Sequence, residues 1–206
     1  MSPVRRGPGS HDPTTRDALL QAAAQIMVEE GYAAATTRRI AARADVKPSL
    51  VHYYFPTMDD LFLQLFRRGA ATRLARQKAA LTSEHPLQAL WEAGRDPGET
   101  ALIWEFSALA NHRKAIKAEL AAHTERSREL QTEALSAVLR EHGITPDALP
   151  PAAAAFLLQA VSTLLVLETQ LGLSAGHTET AALIDQFLRH LHTTDSPAAT
   201  PPRIDD

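Results

Sequence analysis

Thr36-Thr37-Arg38-Arg39-Ile40-Ala41-Ala42-Arg43-Ala44-Asp45-Val46-Lys47-Pro48-Ser49-Leu50-Val51-His52-Tyr53-Tyr54-Phe55-Pro56-Thr57 is the stretch on which the reading of this chain turns. Thr36 or Thr37 can act as N-cap to a helix of about two turns that sets Ile40, Ala41 and Ala44 on one face. Ala44, Asp45 and Val46 then make a tight corner. A second short helix opens near Lys47-Pro48, because a proline in the first turn loses no hydrogen bond. It must stop before Pro56, since the residue ahead of a proline is pushed out of the helical region. Two short helices joined by such a corner form a helix-turn-helix, whose second member is sized for a DNA major groove.

Val51 and Phe55, four residues apart, continue the apolar face begun by Val46 and should lock the pair against a preceding helix. That leaves Lys47, Pro48, Ser49, His52 and Tyr53 outside. A cation, a hydroxyl, an imidazole and a phenol are poor core material but suit phosphates and base edges. Periodicity leaves Tyr54 between the two faces. It also leaves open that Tyr53, Tyr54 and Phe55 are one apolar plug.

On the N-terminal side, Asp12-Pro13 starts a helix whose Leu19, Ala22, Ala23 and Ile26 share a face, with Gly31 as its stop. Residues 1–11 are disordered by composition; Arg5 and Arg6 could serve as a minor-groove arm, a solvated tail being the other reading. On the C-terminal side, Thr57 and Asp60 read as a capping box, and Leu61, Phe62, Leu65 and Phe66 follow at helical spacing. Nothing but Gly69 interrupts this helix up to the low 80s, so it is expected to join the reading head to the rest and to carry Arg67, Arg68, Arg73 and Arg76 on a solvated face.

These residues carry a resemblance. Thr-Thr-Arg-Arg-Ile-Ala, then Val-Lys-Pro-Ser-Leu-Val-His-Tyr-Tyr-Phe-Pro, then Asp-Asp-Leu, resembles the N-terminal domain of the tetracycline-repressor (TetR) family of transcription regulators, in motif detail over residues 14–66. The resemblance implies that Thr37, His52, Tyr53 and Tyr54 touch phosphates and that Arg38, Lys47, Pro48, Ser49 and His52 face the bases. Two positions depart from the family pattern. His52 stands where tyrosine is commoner, and Met58 stands where a phosphate-binding lysine is usual. Methionine cannot supply that charge, so one fewer phosphate contact per subunit is expected, with backbone N–H groups at the helix start as its replacement.

The 206 residues suffice for a small DNA-binding domain and a larger helical one, with 45% hydrophobic residues to fill a core. Cysteine is absent, which excludes disulfides, zinc–thiolate sites and cysteine nucleophiles and suits a reducing cytoplasm. No signal peptide is read in the first residues. Net charge is −3, but residues 1–80 carry +5 and residues 81–206 carry −8. A basic front and an acidic back would turn the molecule toward DNA, ordinary surface charge being the plainer reading.

From Pro86 on, every segment reads helical. Leu87, Leu90 and Trp91 make a short amphipathic piece; Leu102, Ile103, Phe106 and Leu109 mark a helix over 99–110; a long helix runs from Lys114 to His142 with Ile116, Leu120, Leu130, Ala134 and Val138 as its stripe. His123 and Ser127 complete that stripe, and polar groups on an inward face are costly unless partnered. They indicate a cavity or, as readily, a core histidine satisfied by a neighbour. The segment 151–171 is apolar nearly all round and is expected to be buried on two sides. Residues 178–192 form the last helix, and the tail over 193–206 is disordered by composition. The apolar run within 152–167 is broken by Gln159, Ser162 and Thr163 and reads as too short for a bilayer, so no membrane partner is expected.

The architecture expected is therefore all-α: a helix-turn-helix domain over 12–56 and a helical effector-binding and dimerisation domain over 57–192. The resemblance implies a homodimer formed through the last two helices, binding a palindromic duplex operator as a repressor and released by a small molecule. Trp91, Trp104, Phe106, His123, Ser127, Phe156, Gln159 and Thr163 are the candidate lining of the effector site. A DNA-binding dimer with no effector is the alternative. An enzyme is not expected, nor a cofactor: His112 and His123 share a face but lie about three turns apart, roughly 16 Å at helical rise, and no metal, phosphate-loop or nucleophile motif occurs.

Overall fold

Prolines open five of the helices. Pro13, Pro48, Pro86, Pro97 and Pro151 each occupy the first helical position of their element, where the missing N–H would have had no partner and the fixed φ already suits the helix. The computed structural model describes residues 13–193. They form α1 (Pro13–Glu30), a 3-10 turn (Tyr32–Ala34), α2 (Thr37–Arg43), α3 (Pro48–Tyr54), α4 (Met58–Leu81), α5 (Pro86–Ala93), α6 (Pro97–Ala110), α7 (Lys114–Glu141), α8 (Pro151–Gln170) and α9 (His177–Thr193). No strand occurs among the described residues, and the chain is all-α as expected. The Arg5/Arg6 arm, the Asp12 helix start and the tail beyond Thr193 lie outside the described residues.

The packing divides into two units. The first comprises the described residues up to Arg73 together with Gly98–Thr124, so it extends well past the 12–56 stretch. Its core takes Leu19, Leu20, Ala23, Ile26 and Met27 from α1, Ile40 and Ala41 from α2, Val51 from α3, then Phe55. Leu61, Phe62, Leu65 and Phe66 of α4, Phe106 and Leu109 of α6, and Ile116 of α7 complete it. Each fully buried Leu, Ile or Phe contributes about 1.5–3 kcal/mol relative to exposure, so this cluster fixes where α3 sits. Two charged contacts support it at the rim. The Glu105 carboxylate of α6 accepts the Tyr32 N–H at 2.6 Å, just after Gly31 ends α1 with φ 85°. Arg67 donates to Glu119 at 2.8 Å, and that carboxylate pushes the guanidinium further up from its already high ordinary value.

The second unit comprises Leu74–Pro97 and the described residues from Glu125 on. Trp91 is fully sealed among Leu87, Leu135, Ala155, Leu188 and Leu191, and its indole N–H donates to Asp185 Oδ1 at 2.9 Å. That bond satisfies the polar edge of the ring and joins α5 to α9.

Two expectations are corrected here. Beyond Ser127 the inward residues of α7 are Gln131, Leu135 and Leu139, whereas Leu130, Ala134 and Val138 are only partly covered. A stripe stepping by four advances about 40° per step on a helix of 3.6 residues per turn, so the buried line rotates by one position. Second, α8 is buried on one side, not two. Ala155, Ser162 and Val166 face in, while Phe156, Leu157 and Leu164 stay about half exposed in the single chain. At 20 residues α8 is also long and apolar enough to cross a membrane by length and composition, because it extends past the apolar run seen in the sequence.

Candidate nucleic-acid interface

The corner between α2 and α3 is closed by two backbone hydrogen bonds. Val46 N–H donates to Ala41 C=O at 2.9 Å and Asp45 N–H to Ala42 C=O at 3.3 Å, with Asp45 at φ 53°. These paired bonds are a Schellman motif, with aspartate at the left-handed position that glycine fills at lower cost. Thr36 is the N-cap of α2, its hydroxyl accepting the Arg39 N–H at 3.4 Å. Lys47 precedes α3 and Pro48 is its first residue. Phe55 leaves the helix at φ −133°, ψ 101°, as a residue before proline must, yet its N–H still reaches Val51 C=O at 2.8 Å. Its ring is buried with Val51, and Arg16 stacks over it at 5.5 Å.

This anchoring decides what α3 shows to solvent. Lys47, Pro48, Ser49, His52 and Tyr53 are all exposed, and so is Arg38 of α2. Tyr54, which periodicity left unplaced, is partly covered and packs against the first core, with its ring edge-on to Tyr53 at 5.1 Å between centroids. The aromatic triplet is therefore no single plug: Phe55 is inside, Tyr53 outside, and Tyr54 bridges. Thr37 is partly buried, and its hydroxyl donates to Met58 Sδ at 3.4 Å. Met58 begins α4 behind the expected capping box: Asp60 Oδ2 accepts both the Thr57 N–H at 3.0 Å and its hydroxyl at 2.8 Å, and the Asp60 N–H donates back to Thr57 Oγ1 at 3.1 Å.

Charge around this face is strongly paired. Arg39 binds the Glu30 carboxylate, and Arg43 lies 2.6 Å from Glu29 and 3.8 Å from Glu30. Arg68 meets Asp17 at 2.9 Å, and Arg113 meets Asp59 at 2.8 Å. Nothing in the sequence pattern singled out Glu29 or Glu30. The only available signal was their position just before Gly31, 14 and 9 residues ahead of the arginines they pair with.

The residues proposed for an effector site fall into separate groups. Within the first unit, His123 and Phe106 are buried, both set edge-on to Phe66, at 5.8 Å and 5.1 Å; Trp104 is exposed. Within the second unit, Ser127, Gln159 and Thr163 lie on one hydrogen-bonded line. Ser127 donates to Gln77 Oε1 at 2.9 Å, Gln131 donates to Ser127 at 3.3 Å and to Gln159 at 3.4 Å, and Gln159 donates to Thr163 at 2.9 Å. Trp91 is sealed in the core, and Phe156 is exposed with Arg128 stacked over it at 5.0 Å. Gln77 and Gln131 were not anticipated. Gln131 was legible as the position four after Ser127; Gln77, among the arginines of α4, was not.

Comparison with known proteins bears on the same stretch. The model of a family described as bacterial regulatory proteins, tetR family, matches residues 19–65. The HTH-type transcriptional regulator BetI of Rhizobium meliloti (strain 1021) is 29% identical over 126 residues, covering 57% of this chain and 62% of that protein. A protein from Saccharomonospora viridis solved in complex with choline has the same fold at TM-score 0.71 and 19% identity, over 91% of this chain and 98% of that one. A TetR transcription regulator from Haloarcula marismortui ATCC 43049 superposes at TM-score 0.70 and 18% identity, over 85% and 96% of the two chains. The helix-turn-helix lies inside the residues that match the tetR family model, and the described helices follow the fold of these solved regulators.

Proposed function

We propose that the chain is a homodimeric, effector-responsive transcription regulator, acting as a repressor on a near-palindromic duplex operator in the cytoplasm. One observation carries the DNA-binding part: Lys47, Pro48, Ser49, His52 and Tyr53 stand together on the open side of α3 while Val51 and Phe55 seal the other. In this reading Arg38, Lys47, Ser49 and His52 address base edges, Pro48 packs beside them, and Thr37, Tyr53 and Tyr54 hold the backbone. Two heads related by a twofold axis read two half-sites, whose spacing follows the distance between the recognition helices.

The exposed Phe156, Leu157 and Leu164 of α8 and Leu183 and Phe187 of α9 support dimerisation through these helices. A small molecule bound among the larger domain's helices releases the operator only if it binds the non-reading state more tightly. Candidate lining residues are Trp104, Phe106 and His123 in the first unit and Ser127, Phe156, Gln159 and Thr163 in the second, Trp91 being sealed in the core; choline is the first compound to try, given the Saccharomonospora viridis complex. The effectorless alternative draws support from the Gln77–Ser127–Gln131–Gln159–Thr163 line, whose members already partner one another.

Selection of binding sites from random duplexes tests the DNA reading. A recovered palindrome supports it, and failure to retain any duplex at low ionic strength overturns it. A thermal-shift screen separates the two dimer readings, since an effector must both raise Tm and release the selected operator.

A further inference from the structure

Of the five cations between residues 13 and 57, three are engaged inside the chain. Arg16 covers Phe55, Arg39 binds Glu30, and Arg43 binds Glu29 and Glu30. Arg38 and Lys47 form no ion pair among the described residues. Consecutive residues on a helix differ by about 100°, so Arg38 and Arg39 look in different directions, while Arg39 and Arg43 share a face. That face meets the last turn of α1, where Glu29 and Glu30 stand.

Stability explains these two acids poorly. The C-terminal end of a helix favours cations, and α1 has no basic residue in its last turn but two glutamates. The pairs they make are partly exposed, with side-chain accessibilities of 47% and 35% for Arg39 and Glu30 and 31% and 53% for Arg43 and Glu29, and exposed pairs contribute little. Against a polyanion the same charges weigh more, because every cation that reaches a phosphate releases condensed counterions. Met58 acts in the same direction, presenting a thioether to Thr37 at the start of α4.

We infer that Glu29 and Glu30 limit the head's grip on the phosphate backbone by holding Arg39 and Arg43 away from it. Sequence-independent binding then rests on few charges, and discrimination between operator and bulk DNA falls to the open face of α3. This inference rests on the DNA-binding reading above.

The test compares the full-length chain with Glu29→Gln/Glu30→Gln and with the fourfold variant that adds Arg39→Gln/Arg43→Gln, on a fluorescent duplex of arbitrary sequence from 50 to 200 mM KCl. The double variant should steepen the slope of log K against log salt by about 0.9 for each arginine released, up to about 3.6 per dimer. The fourfold variant should return to the wild-type slope. A merely structural pair would move Tm in both variants and leave both slopes alone. An unchanged slope in the double variant, or a fourfold variant flatter than wild type, overturns the inference, the latter because the arginines would already be on phosphates. If wild type binds no duplex, the regulator reading fails. In that event, binding gained by the double variant still supports the withheld charge, and none gained removes it.

Discussion

At the scale of single residues, Met58 is where this chain departs most clearly from the pattern it otherwise follows. Its sulfur accepts the hydroxyl of Thr37 at 3.4 Å, a weak bond between the first residues of α4 and α2. Met58→Lys would place a cation at the first position of α4 and free Thr37. Binding of duplex DNA should then fall off more steeply with salt, by about 0.9 in log–log slope per subunit; an unchanged slope disproves the missing phosphate contact. Asp45 is a second such site. At φ 53° it holds a conformation that glycine takes at no steric cost, so Asp45→Gly should raise stability by about 0.5–1 kcal/mol. A higher urea midpoint with an unchanged m-value would register it, and a lower midpoint would mean that the aspartate side chain stabilises the corner. The corner itself was legible in the sequence. Its hydrogen-bond pattern was not, because aspartate does not announce a left-handed residue as glycine does.

Elements were legible where punctuation is dense. Proline at the first helical position, a Thr-x-x-Asp box and a proline after the aromatics give the bounds of α3 and the start of α4 within a residue. Where punctuation is absent and only apolar spacing remains, the reading drifted, and the inward line of α7 came out one position away from Gln131, Leu135 and Leu139. Contacts between distant elements were beyond reach altogether: Glu105 lies 73 residues from the Tyr32 N–H that it accepts. So, too, was the close approach of α5 and α8 at Gly94. A Cβ there would stand 2.9 Å from Ser162 Oγ and 3.3 Å from its Cβ, and Ser162 is almost fully buried, its hydroxyl donating to Leu158 and Gln159 carbonyls at 2.9 and 3.1 Å. Gly94→Ala should therefore cost about 1–3 kcal/mol through overpacking. Adding Ser162→Ala removes the nearer of the two atoms and should recover part of the lost Tm. Additive losses in the double variant would show that the two positions do not press on each other.

The whole molecule presents a contrast between its apolar surfaces. In the first unit most large apolar side chains converge on one core, Val28, Tyr53 and Trp104 being the exposed ones, whereas α8 and α9 of the second leave Phe156, Leu157, Leu164, Leu183 and Phe187 about half exposed or more. The sequence expectation that α8 is covered on two sides was a statement about composition, and one chain can meet only half of it. A helix of this polarity resting bare in water is costly, while each Leu or Phe newly buried contributes about 1.5–3 kcal/mol. A second copy, as proposed above, would supply a matching surface, because a twofold interface uses the same patch twice. Leu183→Glu/Phe187→Glu should accordingly place charge in that patch without touching Trp91 or Leu188, which are sealed on the opposite side of the local packing. Sedimentation should then report a monomer that keeps its helical circular-dichroism signal, and retention on a two-half-site duplex should collapse toward that on a single half-site. A variant that still sediments as a dimer would move the self-association surface off α9, and a variant that loses its helical signal would mean that these side chains hold the chain's own fold rather than a partner.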